Sequence, residues 1–191
     1  MKEPKEWWTN DIKNWQSISP DTAKLMLDQS EKLLIETIES AKIISAKTTQ
    51  LVAFLIPLST LLAGYLIQNW IRNGFDYLSI TANLCLLCLA VSAYYCYKNF
   101  RPYKIAITGE YPHDIVTSKY IDNSFTKDEQ YLNLLLNVCD NIENRILVND
   151  DFNTDSIRNN RIAIKALFII PFCPLLGYLL SLLFFALHCG L

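Results

Sequence analysis

The chain has 191 residues, 51% of them hydrophobic and 19% charged. Its 17 Lys/Arg and 19 Asp/Glu give a net charge of −2 without a concentrated basic stripe, which excludes nucleic acid as a partner. That average conceals a partition: residues 1–50 hold 7 Lys and 8 Asp/Glu, residues 98–165 hold 9 Lys/Arg and 10 Asp/Glu, and nothing after Lys165 is formally charged.

The polar N-terminus lacks the short apolar core and small-residue cleavage site of a signal peptide, so the first apolar run is expected to act as its own insertion signal. Trp8, Ile12 and Trp15 share one helical face and either lie in a membrane interface or pack at the distal end of the next helix, with packing favoured. Ser19-Pro20-Asp21-Thr22 reads as a helix start with Pro in the first turn. From there to Gln50 no Gly or further Pro intervenes. Leu27, Ser30, Leu34, Ile38, Ala41, Ile44 and Thr48 recur near a 3.5-residue spacing, and charges such as Glu31, Lys32, Glu36 and Lys42 lie between them. The pattern predicts an amphipathic helix that continues unbroken into the apolar run 51–71.

Runs 51–71, 77–97 and 162–187 each hold about 20 residues or more, enough at about 1.5 Å per residue to cross a hydrocarbon layer of about 30 Å. The link 72–76 contains an Asn73-Gly74 turn signal. In the connector 98–126, Gly109 and Pro112 mark turns, residues 103–107 form a candidate short strand, and 29 residues can extend about 95 Å. Thr126-Lys127-Asp128-Glu129 fits a capping box. Leu132, Leu135, Val138, Ile142 and Ile146 then trace an apolar face. The polar stretch 149–154 either breaks this helix or lets it continue. Segments 20–50 and 127–161 would extend about 45 and 50 Å as helices, run in the same direction, and pack on each other or on further copies.

Lys and Arg favour the cytoplasmic side of a membrane. Placing both polar flanks there puts the N-terminus in the cytoplasm and the C-terminus outside. Trp70 and Phe75 then fall at an outer hairpin, and Tyr94, Tyr95 and Tyr97 gather with Lys98, Arg101 and Lys104 at the inner face. The expected fold is an all-α membrane protein with three transmembrane helices and two long cytosolic amphipathic helices forming a stalk. Its parts are the N-terminal segment and helix (1–50), a transmembrane hairpin (51–97), a connector with the second stalk helix (98–161), and a third span with a short tail (162–191).

Catalytic chemistry is hard to find. The five glycines are isolated, so no phosphate-cradling loop exists. His113, in Glu110-Tyr111-Pro112-His113-Asp114, reads as part of a polar turn because no second His or Cys cluster complements it. Cys85-x-x-Cys88 is embedded among leucines and reads as helix packing, and the six cysteines resemble no secreted disulfide framework. No enzyme, cofactor or metal is expected. Ion-coupled transporters hold Asp, Glu, His or Arg at mid-bilayer, and these apolar runs have none there, Lys165 lying close to the start of the third. Leu27, Leu34, Ile38, Ala41, Leu135 and Ile142 are the candidate packing or oligomerisation residues of the stalk. Ser59, Ala63 and Gly64 are those of the first span, where small side chains permit close helix approach within or between subunits. Pro57, Asn83, Pro171, Pro174 and Gly177 are candidate hinge or pore residues.

An amphipathic helix placed directly before a membrane hairpin, entered through Ile43-Ile44-Ser45-Ala46-Lys47-Thr48-Thr49-Gln50-Leu51, resembles small bacterial membrane effectors of antiphage systems. The likeness is to SLATT-type proteins and to transmembrane effectors of cyclic-nucleotide (Pycsar-like) systems, and it covers roughly residues 20–100. The third span, the long 98–161 segment and the lack of a nucleotide-sensing domain depart from it. The resemblance implies a homo-oligomer in the inner membrane that compromises the bilayer when a cytosolic protein or signalling nucleotide triggers it. A membrane anchor that recruits a soluble partner through its stalk, and a channel or transporter subunit, are the alternatives.

Overall fold

The computed structural model describes residues 15–73, 76–100, 105–107, 109 and 125–188. The regular structure among these residues is all helical: α1 (Pro20–Asn73), α2 (Tyr77–Asn99), α3 (Lys127–Ile169) and α4 (Cys173–His188), with 3-10 turns at Trp15–Ser17 and Ile170–Phe172. Three stretches, Pro20–Arg72, Tyr77–Asn99 and Lys127–Leu183, contain helices long and apolar enough to cross a membrane, which is compatible with a multi-pass membrane protein. The expected strand at 103–107 is not formed: residues 105–107 are irregular, and Tyr103 and Lys104 lie outside the described residues.

Local chemistry sets the helix ends. The Ser19 Oγ accepts the Thr22 N–H at 3.1 Å, and Pro20 occupies the first turn, where its missing donor costs nothing. At α2 the Asp76 carboxylate accepts the Ser79 N–H at 2.9 Å, while Asn69 of α1 donates to both Asp76 Oδ1 and Ser79 Oγ at 2.8 Å. These bonds tie the end of α1 to the start of α2. The Asp76 carboxyl is held below its ordinary value of 3.8, chiefly by the Ser79 hydroxyl and then by the Ser79 N–H. At α3 the capping box forms: Thr126 N–H donates to Glu129 Oε2 at 2.8 Å and Glu129 N–H to Thr126 Oγ1 at 3.3 Å.

The chain divides into two compact units. Unit 1 comprises Met1–Lys42 and Lys104–Asn153. In it Ala23, Leu132, Leu135 and Leu136 form a buried cluster on which Trp15, Ile18 and Leu27 pack. Trp15 meets Phe125 edge to face at 5.8 Å, so this tryptophan packs as expected, whereas Trp8 and Ile12 lie outside the described residues. Positions Ala23, Leu27, Ser30, Leu34, Thr37 and Ala41 of α1 alternate steps of three and four, as do Leu132, Leu135, Cys139, Ile142, Ile146, Asn149 and Asn153 of α3, and all are buried or half-buried. That is the heptad seam of two parallel helices.

Unit 2 comprises Ile43–Tyr103 and Thr154–Leu191. Its core joins Leu55, Leu89, Cys96 and Ala163 from α1, α2 and α3, with Leu51, Leu58, Leu62 and Leu167 packed around them. α4 packs on α2, where Tyr77 and Tyr178 meet edge to face at 6.4 Å. α1 continues through Pro57, while α3 ends at Ile169 and passes through a 3-10 turn carrying Pro171 before α4 begins. Two prolines three apart remove donors that an unbroken α-helix would need. The Cys173 thiol lies 3.7 Å from the Ile169 carbonyl at this break and acts as a weak donor to it.

Candidate functional site

Two polar clasps interrupt the apolar seams. In unit 1, Asn149 is 1% exposed and its amide faces the backbone of Ala106. Its Nδ2 donates to the Ala106 carbonyl at 3.0 Å, and its Oδ1 accepts the Ala106 N–H at 3.0 Å. The same Nδ2 donates to Thr37 Oγ1 at 3.2 Å, and that hydroxyl donates to the Leu34 carbonyl at 2.7 Å. One turn on, Asn153 Nδ2 donates to the Thr37 carbonyl at 2.9 Å, while its buried Oδ1 has no partner among the described residues. Arg145 fastens the same strap, donating to the carbonyls of Ile107 and Gly109 at 2.9 and 2.6 Å.

This clasp explains why α3 does not break at 149–154. Asn and Asp disfavour helix interiors because their side chains compete for local backbone groups. Here Asn149 and Asn153 occupy seam positions and spend their amides on α1 and the strap. α3 therefore runs straight through. Thr37, a polar residue passed over in favour of its neighbour, fills the seam position, and Ile38 sits half-buried beside it.

The second clasp lies in unit 2 and joins three helices. Asn160 Nδ2 donates to Thr48 Oγ1 at 2.9 Å, and its Oδ1 accepts from Asn99 Nδ2 at 2.9 Å. Asn99 also donates to the Ser156 carbonyl at 3.2 Å, and its Oδ1 accepts from Asn159 at 2.9 Å. Thr48 is 1% exposed and Asn160 9%, so each group depends on the others for its hydrogen bonds. At the same end of α2 the Lys98 ammonium lies 5.0 and 5.2 Å from the Tyr94 and Tyr95 rings.

Unit 1 also holds an open groove of about 390 Å³, lined by Met26, Ser30 and Leu33 of α1 and Cys139, Glu143, Ile146 and Leu147 of α3. Its lining is mainly apolar, and Leu33 and Leu147 remain exposed. The Cys139 thiol is pushed up, first by burial and then by the neighbouring Asp140 charge, so it is a packing group and not a ready nucleophile.

Of the candidate packing residues of unit 1, Leu34, Ala41, Leu135 and Ile142 are buried and Leu27 is half-buried. Ser59 and Ala63 are half-buried, but Gly64 is exposed and nothing lies within 4 Å of where its Cβ would be. Among the hinge or pore candidates, Pro57, Pro171 and Pro174 are exposed. Asn83 is exposed as well, and its amide donates to the Ser79 carbonyl of its own helix at 2.9 Å. Gly177 is buried against α2: a Cβ there would collide with the Thr81 side chain and lie 3.1 Å from Thr81 Cα. It is a close-approach residue in this packing. His113 lies outside the described residues. No group of three or more His, Cys, Asp or Glu suited to a metal ion occurs among the described residues. Sequence reasoning missed both clasps and the groove. The only signal for the clasps was the strict 3-4 spacing that lands on Thr37, Asn149, Asn153, Ser156 and Asn160.

Comparison with known proteins finds no matching family model, no matching curated protein and no matching solved structure.

Proposed function

We propose that this chain is a non-catalytic, multi-pass inner-membrane protein that assembles with copies of itself and compromises the bilayer as the effector of a bacterial antiphage system. The observation that carries this reading is α1, one 54-residue helix with an amphipathic first half and an apolar second half. Only 6% of its apolar window is buried, and Phe54, Ile56, Leu61 and Ile67 lie open on its surface. Lipid or the same helix of another copy is the natural cover for such a face. In this reading both polar segments lie in the cytoplasm, and the Lys98–Tyr94–Tyr95 group stands at the inner interface. The cytosolic helices receive the trigger from a protein or signalling nucleotide.

The test is reconstitution in anionic vesicles loaded with a self-quenched dye, beside expression in cells monitored with a membrane-potential dye. Dye release and depolarisation that grow with protein density support the effector. Intact vesicles and unchanged polarisation under the triggering condition refute it.

The groove of unit 1 favours a second reading, a membrane anchor that docks a soluble protein on its cytosolic helices. There, vesicles stay tight and substitutions at Leu33 or Leu147 abolish recruitment.

A further inference from the structure

We infer that unit 2 binds the phosphate of an anionic phospholipid on the flank where α1 and α3 lie side by side, through Lys47 on one helix and Arg161 and Lys165 on the other. The inference rests on the proposal that this chain spans the inner membrane, which sets these cations at its cytoplasmic interface.

The second clasp fixes their height. Asn160 donates to Thr48 at 2.9 Å, and Lys47 and Arg161 are the immediate neighbours of these residues in α1 and α3. At about 1.5 Å per residue the two cations stand within about 3 Å of one level. The seam fixes their direction. Thr48 and Asn160 are both a positions of parallel helices, and Leu51 and Leu55 with Ala163 and Leu167 continue the spacing. Lys47 is therefore at g and Arg161 at b, and in a parallel pair the g position of one helix and the e and b positions of the other border the same flank. α2 occupies the opposite flank, where Asn159, at g of α3, donates to Asn99 at 2.9 Å. Lys47, Arg161 and Lys165 are all exposed. Lys165 follows Arg161 by one turn, and long helical side chains point back toward the N-terminus, so its ammonium can reach the level of Arg161.

No acid of unit 2 stands beside these cations. Its acids are Asp155, which pairs with Arg158 at 3.2 Å, and Asp76, which caps the far end of α2. The next acids back along the same helices are Glu39 in α1 and Asp151 and Asp150 in α3. They precede Lys47 and Arg161 by two turns or more. Beyond the cations the same flank is apolar and open. Phe54, one heptad past Lys47, is 61% exposed, and Phe168, one heptad past Arg161, is 71% exposed. About 10 Å of helix separates each ring from its cation. Cations at the interface with exposed rings deeper in the bilayer fit a headgroup phosphate and its acyl chains, whereas a soluble phosphate would leave the rings uncovered.

The experiment uses full-length protein in non-ionic detergent, mixed with equal amounts of phosphatidylglycerol and phosphatidylcholine, and counts bound lipid by native mass spectrometry. Wild type should retain phosphatidylglycerol about tenfold over phosphatidylcholine, and Lys47→Gln with Arg161→Gln should abolish most of that preference. Both positions are exposed, so the variant should fold, and helicity and melting temperature verify it. Lys47→Arg with Arg161→Lys, which keeps the charge, should keep most of the preference. Lys98→Gln removes a cation from α2, on the other flank, and should change the preference by about twofold at most.

Equal retention of the two lipids by wild type, or an unchanged preference in the double Gln variant, overturns the inference. So does a loss in Lys98→Gln or in the charge-preserving pair as large as in the double Gln variant, the former because it would mean diffuse surface charge without a site. Displacement of the lipid by an equal concentration of glycerol 3-phosphate overturns it too, since the site would then serve a soluble phosphate. Dye release separates this inference from the effector reading: leakage without lipid preference sinks only the inference, and lipid preference without leakage sinks only the effector.

Discussion

Asn149→Leu removes the hydrogen bonds between Asn149 and the strap, leaves those of Arg145, and keeps the seam position filled with a side chain of similar size. Two bonds to Ala106 disappear, at 3.0 Å each, and a third to Thr37 Oγ1 at 3.2 Å. The Thr37 hydroxyl keeps its bond to Leu34 O at 2.7 Å, so its donor stays satisfied. Each of the two strap bonds is worth about 1 kcal/mol net, so the strap should open about 30-fold more often, since about 1.4 kcal/mol is tenfold. Hydrogen exchange of the Ala106 amide reads this directly. Global unfolding should move the other way or not at all, because Leu at a heptad seam adds apolar burial where a buried Asn sacrifices stability. Asn149→Asp is the informative control. Its carboxylate still accepts the Ala106 N–H but cannot donate to the Ala106 carbonyl, so protection should fall by less. Unchanged Ala106 exchange in Asn149→Leu refutes the reasoning and would mean that Arg145 alone holds the strap.

Two further outcomes follow from the helix contacts and caps. Gly177→Ala should destabilise the folded protein in detergent by about 1–3 kcal/mol, because its Cβ meets the Thr81 backbone as well as its side chain, whereas Gly64→Ala, in open space, should be neutral or slightly stabilising; equal melting temperatures for the two variants would contradict this. The Glu129 carboxyl is held below its ordinary 4.5, first by the Thr126 N–H and then by its hydroxyl. Its contribution is therefore complete above about 4.5 and is lost as pH falls through the lower folded value. Amide exchange in the first turn of α3 should rise on acidification through that window, and Glu129→Gln, which can still cap but cannot titrate, should abolish the dependence.

Much of this was legible because it is local. Ser19-Pro20 and the Thr126–Glu129 box act within one turn, and the structure forms both caps as the sequence spacing implies. Apolar length alone located the three long apolar helices. What escaped the sequence was non-local. A hydrophobicity count prefers Ile38 to Thr37, yet Thr37 is buried because a residue 112 positions away satisfies it. The apolar residues 105–107 suggest part of a strand, but the backbone partners of Ala106 and Ile107 are the Asn149 and Arg145 side chains. The groove is made from flanking positions of two distant segments and has no signature in either.

The clasps also explain how apolar repeats settle on one alignment. A seam of leucines and alanines tolerates a slip of seven residues, since every apolar knob finds another apolar hole. Thr37 pairs with Asn149 in unit 1, and Thr48 pairs with Asn160 in unit 2. Each pair is separated by 112 residues, a whole number of heptads. Sliding α3 by one heptad in one direction would set Asn149 against Ile44 and Asn160 against Leu55, and in the other direction against Ser30 and Ala41. The first slip strands both buried amides and the second strands that of Asn160, since Ser30 still offers Asn149 a hydroxyl, at about 1–3 kcal/mol per unsatisfied group. Two polar pairs at one common offset therefore select a single register where the hydrophobic pattern permits several. Replacing both asparagines with leucine would be expected to raise the stability of the pairing and lower its uniqueness.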